Sequence, residues 1–211
     1  LPRLLLAVGA TIRGEDAEVY SYLNQPWRSD FHAMLARSLA AWNMLGEDPE
    51  AAISLQQQAG GQDGLYTLMG QTLGAMMKVN IGETDDARED LSYLWRISAR
   101  LALGVETEAR LMALDGYTEL ALQRLRDFRK EVGRHPALLA LAEEIETGTI
   151  AVPEPMSAAE GTALAFYITT APQAGQQYGA LSAAYFAMAV YLDPDLDAAN
   201  ALWADALAHA D

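Results

Sequence analysis

A chain of 211 residues is long enough for one or two domains with a sizeable core. Its 29 acidic and 14 basic residues give a formal charge of −15, which argues against nonspecific nucleic-acid binding and against attraction to an anionic bilayer. There is no cysteine, so disulfides and thiolate metal sites are excluded, and the 51% apolar content with only 8% aromatics is carried by alanine and leucine, both good helix formers.

Pro2 suits the first turn of a helix, where its missing N–H is not needed. Residues 3–13 are predicted as a first helix, Gly14 as the turn and residues 16–24 as its partner. The apolar run at 4–10, after Arg3, is too short to span a bilayer and leads straight to that turn, so it reads as a helix rather than a signal sequence. A start at Leu1 suggests a processed or excised chain. The second pair opens with Asp30 as the expected N-cap; Phe31, Met34, Leu35, Leu39 and Trp42 then share one helix face. Gly46, Glu47, Asp48 and Pro49 make its turn.

Gly60 to Gly64 is predicted as a loop before a helix carrying Leu65, Leu68, Met69, Leu73 and Met76. Gly70 and Gly74 within it lie one turn apart. Beside Gln71, Thr72 and Lys78 they indicate close packing of a water-soluble helix, not a membrane dimer face. Gly82, Glu83 and Thr84 turn into a returning helix expected over 85–103, and residues 106–114 and 118–132 make a fourth pair, ended by His135 and Pro136. An extra helix at 136–145 precedes the clearest break, at 148–155 with Pro153 and Pro155. The expected organisation is helical repeats over 1–147, a linker or insertion at 148–156, and a C-terminal helix pair with the start of a further repeat over 157–211.

Gly14, Gly46, Gly82 and Gly116 recur at intervals of 32, 36 and 34 residues. Each stands five residues before a small apolar residue (Val19, Ala51, Ala87, Ala121) and nine before a leucine (Leu23, Leu55, Leu91, Leu125). In the last quarter, Ser182, Phe186, Ala189 and Pro194 follow a small, aromatic, small and proline order, and Tyr191-Leu192-Asp193-Pro194-Asp195 ends it. On these residues the chain resembles the tetratricopeptide repeat (TPR) family, closely over 160–208 and loosely before that. The earlier repeats depart from the pattern: they lack the terminal proline and place Pro26 and Gln58 where small residues are usual. The resemblance implies an all-α, TPR-like superhelix of helix pairs, with Leu23, Leu55, Leu91 and Leu125 buried at equivalent positions.

Sequence signals for chemistry are weak. His32, His135 and His209 are scattered, none spaced to share a metal. Asp193, Asp195 and Asp197 imitate half a calcium loop, but Ala198 and Ala204 stand where Gly and Glu are required, so a turn with helix-capping carboxylates is expected. Glu143, Glu144 and Glu146 read as a solvated helix face. The basic stretch Arg124, Arg126, Arg129, Lys130 and Arg134 reads as helix C-terminal cations pairing with Asp127 and Glu131; the two lysines of the chain, Lys78 and Lys130, do not support a TPR-type carboxylate clamp. No nucleophile elbow, phosphate loop or zinc-helix motif is present.

The resemblance therefore implies a protein with no catalytic residues, cofactor or metal, binding a protein or peptide partner in the superhelical groove. Aromatics give contact area at small entropic cost, and Trp42, Tyr66, Trp95, Tyr117, Tyr167 and Trp203 are the candidate partner-binding residues. The alternative is a helical small-ligand sensor or regulatory domain of a larger bacterial protein. From residue 150 onward there is no Lys or Arg and a charge of −7, a solubilising face or a surface for a basic partner. Residues 181–192 are apolar almost all round and require neighbours, while the helix after them is expected to have its exposed side, over 198–208, covered by further repeats of a longer parent protein or by another copy of the chain. The degenerate, alanine-rich repeats are similar to those of bacterial envelope TPR proteins, which points to the periplasm, with the cytoplasm also compatible.

Overall fold

A computed structural model describes residues 1–59, 64–97, 100–174 and 180–208. Gly64 begins a helix, while residues 60–63 of the predicted loop at 60–64, and His209, lie outside the described residues. Within them the chain is all-α, with no strand. The helices are α1 (Pro2–Arg13), α2 (Asp16–Leu23), α3 (Asp30–Met44), α4 (Pro49–Ala59), α5 (Gly64–Asn80) and α6 (Thr84–Arg96), then α7 (Ala102–Leu114), α8 (Thr118–Glu131), α9 (Pro136–Thr147), α10 (Ala158–Ala174), α11 (Ala180–Leu192) and α12 (Asp197–Ala208). They belong to two compact units: residues 1–73 with 156–211, and residues 74–155. The division passes through α5, and its second boundary falls at the proline-rich break.

Three of the four repeat glycines close their turns identically. Gly14, Gly82 and Gly116 take φ of 68°, 85° and 86°, which L side chains adopt only with strain. The next N–H then reaches back five residues, from Glu15 to the Ala10 carbonyl (3.0 Å), Glu83 to Lys78 (2.8 Å) and Tyr117 to Met112 (2.8 Å), satisfying carbonyls that a helix end leaves open. The following helix starts two residues past each glycine, so its fourth and eighth residues face inward. These are the buried pairs Val19 and Leu23, Ala87 and Leu91, and Ala121 and Leu125.

Gly46 departs from this. Leu45 still has right-handed helical angles, the N–H groups of Glu47 and Asp48 both bond to the Met44 carbonyl (3.0 and 2.9 Å), and α4 starts at Pro49, three residues past the glycine. One extra residue rotates α4 by about 100°. Its fourth and eighth residues are Ala52 and Gln56, both 0% exposed, while Ala51 and Leu55 are only half-buried. The expected burial of Leu55 is therefore corrected to Gln56, whose side-chain amide donates to the Gly70 carbonyl of α5 at 3.2 Å.

Two helix ends also differ from expectation. Ser29, not Asp30, caps α3, its hydroxyl accepting the His32 N–H. The helix expected over 85–103 stops at Arg96, and α7 begins at Ala102 after the extended residue Leu101. No glycine or proline stands between Arg96 and Ala102 in the sequence, and α7 packs on both α6 and α8. Ser157 and Glu160 start α10 with a reciprocal capping box: the Ser157 N–H donates to the Glu160 carboxylate (2.6 Å) and the Glu160 N–H to the Ser157 hydroxyl (3.2 Å).

In the first unit α3 packs against α2, α4 and α10, and the α10–α11 pair also touches α1. Trp42 is 1% exposed and lies over Gly161 of α10, where any Cβ would overlap the indole ring. Beside it the Asn43 side-chain amide donates to the Thr162 hydroxyl at 3.1 Å, across 119 positions of sequence. In the second unit, Val105, Ala109 and Met112 of α7, Ala121, Leu125 and Phe128 of α8, and Leu138, Leu141 and Ile145 of α9 form one core.

The turn geometry separates the glycines experimentally. Gly46→Ala, with open space around the new Cβ and no left-handed φ, is expected to raise unfolding free energy by about 0.4–1 kcal/mol through reduced freedom of the unfolded chain. Gly82→Ala and Gly116→Ala are expected to lower it by about 1 kcal/mol. Urea titrations of the three variants check the contrast.

Candidate binding site

The six expected partner-facing aromatics occupy different environments. Trp42 is in the core of the first unit, because glycine at 161 lets α10 lie directly on its ring. Tyr66 is half-buried on α5. Tyr167 and Trp203, also half-buried, are brought together against Phe186 and Ala206. Trp203 thus faces inward, while Ala201, Ala204 and Leu207 stand exposed on the outer side of α12. Trp95 is half-buried on α6, and Tyr117, at the cap of α8, is 54% exposed.

Tyr117 borders a groove of about 570 Å³ lined by α6, the end of α7 and the start of α8. Asp85 and Asp86 reach it from the first turn of α6, where carboxylates favourably meet the positive end of the helix dipole. Glu89 stands one turn further along, and Met112, Tyr117 and Leu120 supply apolar surface. Arg88, the cation on this lining, bonds Asp85 (2.8 Å) and Asp115 (3.0 Å) with its guanidinium 5.6 Å from the Tyr117 ring centroid. Arg88 is thereby neutralised, and Asp86 and Glu89 make no ion pair among the described residues. The groove is open, acidic and aromatic at one edge. The acidic residues beside Tyr117 escaped the sequence reading, although the run Glu83-Thr84-Asp85-Asp86 directly after a repeat glycine was a usable signal.

Ser92 connects this lining to a buried charge network. Its hydroxyl donates to the Glu108 carboxylate at 2.7 Å, and Arg124 approaches the same oxygen at 3.4 Å. The guanidiniums of Arg100 and Arg124 lie 3.9 and 4.4 Å from the Trp95 ring centroid, and Arg100 is also paired with Glu131. Glu108 is 1% exposed. Burial pushes its carboxyl pKa above the ordinary value, against the opposing pull of Ser92, Arg124 and Arg100. On the other side of α7, Arg110 joins Glu144 (2.8 Å) and Glu106 (3.7 Å), and burial also raises the Glu106 carboxyl. Both networks bind helices together. Trp95, expected at a partner surface, is the platform for two arginines.

The remaining motifs resolve individually. Lys130 pairs with Asp127 at 3.1 Å, and hydrogen bonds from Gln123 and then Lys130 hold the Asp127 carboxyl below its ordinary value. The Asp193 carboxylate accepts the Asp195 N–H at 3.0 Å, a turn-closing role, and no cluster of three or more potential metal ligands occurs among the described residues. His32 bridges Ser29 (2.6 Å) and the Tyr185 hydroxyl (2.7 Å) and stacks on Trp27. Burial and then the chain's N-terminal charge hold its pKa below the ordinary value. No sequence spacing could have paired His32 with a tyrosine 153 positions away.

No described helix is long and apolar enough to cross a membrane. Neither a family model, nor a curated protein, nor a solved structure matches the chain.

The buried carboxylates carry a signed pH prediction. Glu106 and Glu108 have folded-state pKa values above the unfolded value of about 4.3, so the native state holds more protons between those limits. Their contribution to stability therefore increases as pH falls from 7 towards that range. His32 acts oppositely: its lowered value means that stability is lost as pH falls through the unfolded value of about 6.5. Between pH 7.5 and 4.5 the urea midpoint of Glu108→Gln should rise less, or fall further, than that of the wild type. Arg124→Ala, which leaves Glu108 buried with less compensation, should lose about 3 kcal/mol at pH 7.

Proposed function

We propose that the chain is a non-catalytic, TPR-type scaffold whose α6–α8 groove holds a basic, extended segment of a protein partner. One observation carries this reading: exposed Tyr117 and Leu120 stand beside Asp85, Asp86 and Glu89 in an open trough of about 570 Å³. An aromatic anchor rimmed by charges of one sign suits a peptide carrying Lys or Arg between apolar residues. The repeated left-handed glycine turns, with their equivalent buried pairs, support the repeat reading. In the same reading the protein works in the periplasm, where it would be recovered on fractionation.

Isothermal titration with a synthetic peptide of alternating Arg and Leu tests the groove. The wild type is expected to bind saturably and more weakly as salt shortens the Debye length below about 10 Å. Tyr117→Ala and Asp86→Lys should each weaken binding by roughly tenfold. Equal affinity in the wild type and both variants would remove this groove from the account.

A further inference from the structure

We infer that a second docking surface lies between α8 and α9, an arginine-flanked apolar groove that takes an acidic helical segment bearing large aliphatic side chains. The groove encloses about 240 Å³, with Leu125, Phe128 and Leu138 among its lining residues. Leu139, 42% exposed, forms part of the same lining. That volume is smaller than the roughly 300–1,000 Å³ typical of small-molecule sites. It suits the anchor side chains of a longer ligand rather than a whole small ligand. Two aliphatic side chains one helical turn apart are the usual occupants of such a trough.

Charge selects the sign of the occupant. Arg126 and Arg129 flank the groove, against a single lining carboxylate, Glu146. Arg88, Arg100, Arg110 and Arg124 are each held by a carboxylate. Arg126 instead bonds the side-chain oxygen of Gln123 at 3.0 Å, and Arg129 has no ion pair among the described residues. The two carboxylates within this run are already engaged, Asp127 by Lys130 and Glu131 by Arg100. His135 adds a buried Nδ1 without a hydrogen-bond partner at the same lining. Arg126 and Arg129, neither of them in an ion pair among the described residues, stand beside exposed Leu139 and complement carboxylates flanking leucines. The groove is independent of the acidic one, and its occupant carries the opposite charge.

Fluorescence anisotropy with a dye-labelled helical peptide of Glu, Ala and Leu, leucines at i and i+4, tests the assignment. Its Lys-for-Glu counterpart serves as the control. The wild type should bind the acidic peptide saturably, with affinity falling as salt is raised. The double variant Arg126→Glu/Arg129→Glu should reduce that affinity by at least about tenfold, and Leu139→Ala by severalfold. All three positions are exposed, and circular dichroism melts verify that the variants fold. Asp86→Lys, in the other groove, should leave binding of the acidic peptide unchanged. Absence of saturable binding, or affinity unaffected by the arginine reversals, would overturn the proposal. Sensitivity to the arginines with none to Leu139→Ala would also overturn it, because it would show charge attraction without a seated side chain.

Discussion

The architecture depends on how many residues each turn spends between two helices. A left-handed glycine closes the turn in one step, leaves the next N–H free to cap the preceding helix, and starts the following helix two residues later. Everything on the second helix of a pair then has a fixed rotational phase. Where the turn takes one more residue, as after Gly46, the same pattern of side chains is presented about 100° away. A buried glutamine consequently occupies the place of a leucine.

That shift has an energetic consequence in the first unit. Gln56 brings a polar amide into the core, where its N–H donates to the Gly70 carbonyl while its side-chain oxygen has no partner among the described residues. The contact between α3 and α10 combines apolar burial with polar pairing in the same way. Trp42 rests on a glycine that offers no Cβ, and Asn43 bonds Thr162 alongside. Repeats in an ideal solenoid touch only their sequence neighbours. The seating of α10 on α3 brings distant segments of the chain into one core, so the first unit closes on itself.

Much of the fold was legible because periodicity and turn chemistry are local. The glycine spacing marked the pairs, Pro49 and Pro136 marked helix starts, and the prolines near 153 marked the break. Less was legible where a tertiary partner decides. The end of α6 at Arg96 has no glycine or proline to announce it, and Ser29 outcompeted Asp30 because its hydroxyl was placed to meet the His32 N–H. The candidate site follows the same division. Aromatic content drew attention to Tyr117 and Trp95, but only the packing of α6, α7 and α8 separates an exposed edge from a platform beneath two arginines. The carboxylates beside Tyr117 were visible as residues, though not as one surface.

In the second unit some charges are held by partners that tie helices together, and others, left without an ion pair among the described residues, are the ones the proposed binding surfaces use. Glu108 and Arg124 illustrate the first, Asp86 and Arg129 the second. Both surfaces follow from the phase that the turns impose on α6 and α8, which makes that phase the claim to test. Because the chain has no natural cysteine, single substitutions Leu23→Cys, Gln56→Cys, Leu91→Cys, Leu125→Cys and Gln57→Cys can be compared by maleimide labelling under native conditions. The account predicts slow labelling at 23, 56, 91 and 125, limited by opening of the fold, and rapid labelling at 57. Labelling at 56 as fast as at 57, or rapid labelling at two of the three leucine positions, would contradict it.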